Sequence, residues 1–360
     1  MKMRIFCVFY LLLPLLTIAQ KDTTNKSKQI DLAIIPSIGY SPETRWYYGG
    51  NATALFKLNT NDTLARTSNA SFDILYTQNR QAYIGLEYNL FFKQEEYMLR
   101  GINEWVDFNL DYYGIGPRSP NIAETFDYRQ LTFDNTLFKK LNGKTFAGIG
   151  YRFSSWNTLR AIDGGLLESD SPSHYLQSIS SGLMFTYLID SRDNIVNTFK
   201  GGMLNVSLTL NSKWLGSTAN NPNVNIEASK FYKVNKYNHI LAFHALGNFN
   251  FGEVPFAEYS ILGSENMKRG YYSGRYRDKQ FAAVQVEYRF PIYKRLGMVV
   301  FGAMGDVAPT IQAFALQTIK FSGGGGLRFM LFKDERLNLR LDYGITNQSG
   351  FMYIGVGEAF

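Results

Sequence analysis

Three hundred and sixty residues, 45% hydrophobic, 16% aromatic and only 19% charged, suffice for two ordinary domains or one large barrel. The wealth of Phe, Tyr and Gly suits β-structure and membrane interfaces. A mean hydropathy of −0.18, with no apolar run of ~18 residues after the N-terminus, excludes a bundle of spanning helices, and a net charge of +7 without a basic stripe or recognition motif excludes nucleic acid as a partner.

Residues 1–19 read as a signal peptide: Lys2 and Arg4 precede an apolar stretch from Ile5 to Leu16, and Thr17-Ile18-Ala19 supplies the small-residue end, with cleavage expected after Ala19. Cys7 lies inside this stretch, so the expected mature chain has no cysteine, no disulfide and no thiolate metal site. Loss of Lys2 and Arg4 lowers the formal charge from +7 to +5, a surplus suited to lumen walls and anionic lipid head groups. Residues 20–29 form a short polar stretch.

From residue 30 the chain is uniform, with segments of roughly ten residues alternating in polarity and broken by Asn, Asp, Gly, Ser and Pro. They fall near 30–40, 46–58, 69–78, 82–93, 97–112, 125–141, 145–159, 174–189, 201–216, 224–235, 239–251, 279–292, 296–308, 319–333, 337–347 and 350–360. The expected fold class is therefore all-β, a transmembrane antiparallel β-barrel of about sixteen strands over residues 30–360. In the last segment Met352, Ile354, Val356 and Phe360 are expected on one face, with Glu358 interrupting it close enough to the end to reach interface water. Alternation alone also fits a soluble sandwich. The signal peptide, the missing cysteines, the aromatics near strand ends and the aromatic last residue favour the outer membrane of a Gram-negative-type bacterium.

Two stretches carry more than periodicity. Met267-Lys268-Arg269-Gly270-Tyr271-Tyr272-Ser273-Gly274-Arg275-Tyr276-Arg277-Asp278 lies in the longest strand-free interval, about 252–278, ahead of Val286-Glu287-Tyr288-Arg289-Phe290-Pro291. Leu188-Ile189-Asp190-Ser191-Arg192-Asp193-Asn194 is followed by Phe199 and Gly201-Gly202. Together they resemble the barrel of the BamA/TamA-like outer-membrane family, the bacterial surface antigen group. Tyr112-Tyr113-Gly114-Ile115-Gly116 and the terminal Tyr353-Ile354-Gly355-Val356-Gly357-Glu358-Ala359-Phe360 are similar to that family more weakly. The resemblance implies that the long loop folds back into the lumen with Arg269, Gly270 and Tyr271 at its tip, Arg269 being held by Glu287. It also implies a second acid on the following strand, where this sequence has Ala303. Asp306 has the opposite parity and could substitute only through a bulge, so one acidic partner is expected for Arg269. Asp190, Arg192 and Asp193 correspond to a family turn signature, and their turn-forming neighbours suit a self-capped periplasmic turn.

Gly323 to Gly326 lack the Lys-Ser/Thr end of a phosphate loop and read as a closely packed strand. His174, His239 and His244 lack metal-ligand spacing, and no Gly-x-Ser-x-Gly elbow occurs, so no catalytic, cofactor or metal residue is assigned. Full-length relatives carry POTRA domains of roughly eighty residues each, for which the stretch between Ala19 and Ile30 has no room; a barrel-only member is expected. The resemblance implies assembly or translocation of other outer-membrane or surface proteins, with client barrels, a separate periplasmic partner, outer-membrane lipid and lipopolysaccharide as partners. A passive channel is the alternative, ahead of a membrane enzyme. A weak junction is expected where the first segment, with Pro36, meets the last, with Gly355, Gly357 and Phe360.

Overall fold

The computed structural model describes residues 30–59, 67–333 and 336–360; the expected signal peptide and polar stretch lie outside the described residues. Its strands are β1 (Ile30–Ser41), β2 (Arg45–Phe56), β3 (Ser68–Thr77), β4 (Ala82–Phe92), β5 (Tyr97–Tyr112), β6 (Glu124–Asn142), β7 (Thr145–Arg160), β8 (Gln177–Asp190), β9 (Gly201–Asn211), β10 (Asn221–Lys233), β11 (Ile240–Asn250), β12 (Ser260–Leu262), β13 (Tyr276–Asp278), β14 (Gln280–Tyr293), β15 (Leu296–Ala308), β16 (Lys320–Phe332), β17 (Leu337–Ile345) and β18 (Gly350–Val356). Sixteen of them close into one antiparallel barrel, while β12 and β13 pair separately inside the long connection between β11 and β14. Each expected segment overlaps one barrel strand. The trailing residues of the ninth segment instead form a 3₁₀ turn at Lys213–Leu215.

The burial pattern is inverted relative to a soluble sandwich. On β14, Val284, Val286 and Tyr288 are exposed while Gln285, Glu287 and Arg289 are buried, and on β8, Leu183, Phe185 and Tyr187 face out. Apolar side chains outward and polar ones inward are what a lipid exterior demands. Closure satisfies the backbone groups that lipid cannot, which explains why period-two alternation here produces a barrel and not an open sheet.

The two ends differ. One end carries the short connections 93–96, 143–144, 234–239 and 294–295 together with the start of β1, and is called here the terminal end. The other carries the long connections, including 161–176, with its short helix α1 (Leu166–Asp170), and 251–279. At this long-loop end the loops build an apolar core inside the barrel. Tyr112, Phe126, Tyr128, Trp156, Leu167 and Phe256 form one cluster, with the Tyr128 and Trp156 rings stacked at 4.1 Å. Leu262, Met267, Tyr271, Tyr276, Phe281 and Val307 form another beneath the long loop.

The last strand departs from expectation. Met352, Ile354 and Val356 alternate with inward Tyr353, but the strand stops at Val356. Gly357, at φ 92°, turns the chain inward, and its N–H donates to the Asn338 carbonyl of β17 (2.7 Å). Phe360 therefore lies not on the lipid face but in the lumen, its ring 4.6 Å from His244 and 5.9 Å from Phe231. Glu358 is buried rather than at interface water.

A candidate functional site at the loop tip and the seam

Folding the 251–279 connection back into the lumen places Arg269, wholly buried, against the wall made by β14 to β18. Gly270 adopts φ 105°, and an added Cβ would stand 2.9 Å from Ile345 N, so the tip approaches β17 more closely than a side chain allows. Gly344 on β17 answers it: a Cβ there would collide with the Arg269 and Gly270 backbone.

Arg269 donates through Nη2 to Glu287 and through Nη1 to Asp342 Oδ2 (2.5 Å), and its guanidinium lies 3.6 Å from the Phe301 ring centroid. The pairs continue. Arg289 Nε donates to Glu287 (2.8 Å) and stands 3.9 Å from Glu358; Arg328 donates to Glu358 (2.8 Å) and to Asp342 (2.5 Å). Arg269, Glu287, Arg289, Glu358, Arg328 and Asp342 thus form a closed ring of alternating charge, drawn from the loop, β14, β16, β17 and the C-terminal residues. Burial of single charges on this scale is costly, and alternation with shared hydrogen bonds offsets it.

The second acid is therefore present, and the expectation of a single partner is corrected. It is Asp342 on β17, not a residue of β15. Ala303 occupies the β15 position, and β15 pairs with β14 without a register shift from Gly297 to Ala308, so no bulge turns Asp306. Asp306 instead accepts from Thr318 Oγ1 (2.5 Å) and Lys320 Nζ (3.3 Å).

The neighbouring loop residues are also seated. Lys268, fully buried, donates to the Lys320 carbonyl (2.6 Å) and the more distant Ala303 carbonyl, and burial without a carboxylate contact pushes its amine down to about 7. Arg277 lies between Tyr112, Phe126 and Phe256, with ring centroids 4.8 to 5.6 Å away.

The junction of β1 with β18 is the weakest ladder of the barrel. It has one register pair, Tyr40 opposite Ile354, whereas β17 and β18 share seven and β5 and β6 sixteen. Pro36 is opposite Gly50 of β2 and belongs to the part of β1 without a β18 partner. Gly355 faces the lumen near Arg340. Gly357 and Phe360 do not belong to this junction, because the inward turn carries them to β17 and to β10 and β11.

The loop bridges both sides of the seam. The Gly270 N–H donates to Tyr353 Oη (3.0 Å) on β18, and Ser349 Oγ donates to the Gly270 carbonyl (2.6 Å). The Ser273 N–H donates to Glu43 (2.6 Å), buried in the turn between β1 and β2, where burial pushes its carboxyl up. Tyr271 Oη reaches the Phe321 carbonyl at 3.2 Å.

The 191–200 turn is tied locally. Asp190 accepts from Arg192 Nη2 (2.8 Å), and Asp193 accepts from the Phe199 N–H (2.9 Å) and from Arg336 (2.8 Å) of the next turn but two. Among the described residues no group of three His, Cys, Asp or Glu is placed to hold a metal ion.

Comparison with solved structures places this barrel among known ones. It is similar to BamA from Haemophilus ducreyi lacking POTRA domains 1–3, with a TM-score of 0.61 and 15% identity over 91% of this chain and 70% of that one. It is also similar to CdiB from Acinetobacter baumannii, at a TM-score of 0.57 and 10% identity over 92% of this chain and 60% of that one. CdiB from Escherichia coli gives 0.59 and 11%, over 90% and 62%. The chain spans about three fifths of the CdiB structures. No curated protein sequence matches. Residues 46–360 match the Omp85 superfamily domain, and the chain belongs to the Omp85 superfamily.

Proposed function

We propose that this chain works in the outer membrane of a Gram-negative-type bacterium, exported by residues 1–19, as a barrel that inserts or exports other outer-membrane or surface proteins by opening between β1 and β18. The single-pair ladder at that junction carries the proposal. Most of β1 there offers backbone donors and acceptors without a strand partner, the feature an incoming strand would use. The family, and the fold likeness to BamA and CdiB, support the same reading. Lipid and lipopolysaccharide surround the outward apolar faces, clients enter through the seam, and no catalytic step is involved. The test is quantitative proteomics of outer membranes after depletion of the protein: the abundance of a subset of barrels or surface proteins falls. Unchanged composition removes the proposal.

A second reading, a passive channel, draws on a cavity of about 340 Å³ beside the loop, lined by Asn205, Ser207, Thr209, Asn223 and Asn225 among other polar side chains. Steady conductance with the loop held in place, together with an unchanged proteome, would favour it.

A further inference from the structure

The barrel's terminal end opens into a vestibule of about 600 Å³, within the size range of sites that hold ligands. Among the described residues six cations line it: Arg289, Lys294, Arg295, Arg328, Lys333 and Arg336. The one lining carboxylate among the described residues is Glu358, already committed to Arg328 and Asn338. Among the described residues Lys294, Arg295 and Lys333 are exposed and have no carboxylate partner, and Arg289, 6% exposed, has an Nη1 with no hydrogen-bond partner. Between the cations lie the apolar side chains of Phe199, Ile240 and Met330.

The charge belongs to this end of the molecule. Counted in the sequence, the seven connections at the terminal end hold eleven Lys and Arg against six Asp and Glu, whereas the eight at the long-loop end hold eight against eight. Such a one-sided field attracts and orients an oppositely charged partner.

We propose that this vestibule docks an acidic segment, bearing apolar side chains, of a separate soluble protein. Arg289, Arg328 and Asn338 face the lumen, opposite in parity to lipid-facing Tyr288, Val300 and Leu327, and Lys294, Arg295, Lys333 and Arg336 lie in the turns, so the occupant enters along the barrel axis from water, past a rim that includes Phe290, Leu296 and Met298 of the outward parity. The chain's own residues 20–29 do not complement it, since they contain three Lys and one Asp. This inference rests on the assembly reading, for which it supplies the chemistry of the periplasmic partner.

The test uses the whole barrel in phosphatidylcholine nanodiscs and two fluorescent sixteen-residue peptides, one of alternating Glu and Leu, the other of alternating Lys and Leu. The acidic peptide binds, the basic one does not, and binding weakens steeply between 50 and 500 mM salt. Reversal of the three exposed cations (Lys294→Glu, Arg295→Glu, Lys333→Glu) weakens it at least about tenfold, and the neutral set (Lys294→Gln, Arg295→Gln, Lys333→Gln) falls between. Heat-modifiable migration confirms that each variant is folded. Equal binding of the two peptides, or unaltered affinity in the reversed variant, overturns the proposal. So does cation-dependent capture of phosphatidylglycerol vesicles without peptide binding, which assigns the surface to lipid. The outcome is separable from the assembly reading, because a barrel locked across β1 and β18 still binds the peptide.

Discussion

Substituting Arg269→Met cuts the charge ring at its loop member. Removing one partner of a buried ion pair ordinarily costs about 3 to 5 kcal/mol, chiefly through the stranded charge. Here Glu287 keeps Arg289 at 2.8 Å and Asp342 keeps Arg328 at 2.5 Å, so the cost belongs at the low end, about 3 kcal/mol. Asp342→Asn leaves the ring with one surplus positive charge and should cost a similar amount. The double variant removes one charge of each sign and leaves two Arg and two Glu. It should therefore fall short of the sum by about 2 kcal/mol, within the range seen for residues in direct contact. The assay is native-state trypsin cleavage within 251–279, whose rate follows the population of the released loop when reclosing is fast. Arg269→Met should raise that rate about 100-fold, the equivalent of about 3 kcal/mol. Additivity within about 0.5 kcal/mol, or less than about fivefold acceleration in the single variant, would refute the ring as the loop's anchor.

Two further outcomes follow from the same site. Seated Lys268 loses its proton near pH 7 and a released lysine near 10.5, so release takes up a proton between them; seating strengthens as pH rises through that window and is weakest below it. Tryptic release should slow by up to about tenfold per pH unit between ~8 and ~10, after correction for trypsin's own pH profile, and Lys268→Met should abolish that dependence. Glu358→Gln leaves Arg328 and Arg289 short of a carboxylate and should loosen the loop, though less than Asp342→Asn, because Glu358 does not touch Arg269; parallel cleavage rates of the two variants check the order.

Much of this architecture was legible in one dimension because the lipid exterior enforces a strict parity. Val284, Val286 and Tyr288 declare their face whatever the neighbours are. The loop arginine and Glu287 were visible through a motif and that same parity. Asp342 carries the same parity signal, alternating with Arg340 between Leu339, Leu341 and Tyr343, but no motif marks it. Which lumen charges meet depends on barrel closure and on how deeply the loop descends, and neither is a local property. Phe360 leaves the expected face for a different reason. Strand parity ends at Gly357, where a positive φ and an internal ion pair for Glu358 redirect the chain.

The central claim, that the seam between β1 and β18 must open, is tested most directly by a disulfide across its one register pair, Tyr40→Cys with Ile354→Cys. In cells that depend on the protein, the oxidised lock should deplete the client barrels or surface proteins found by depletion, and reductant should restore them. Normal outer-membrane composition with the disulfide fully formed would contradict opening at this seam.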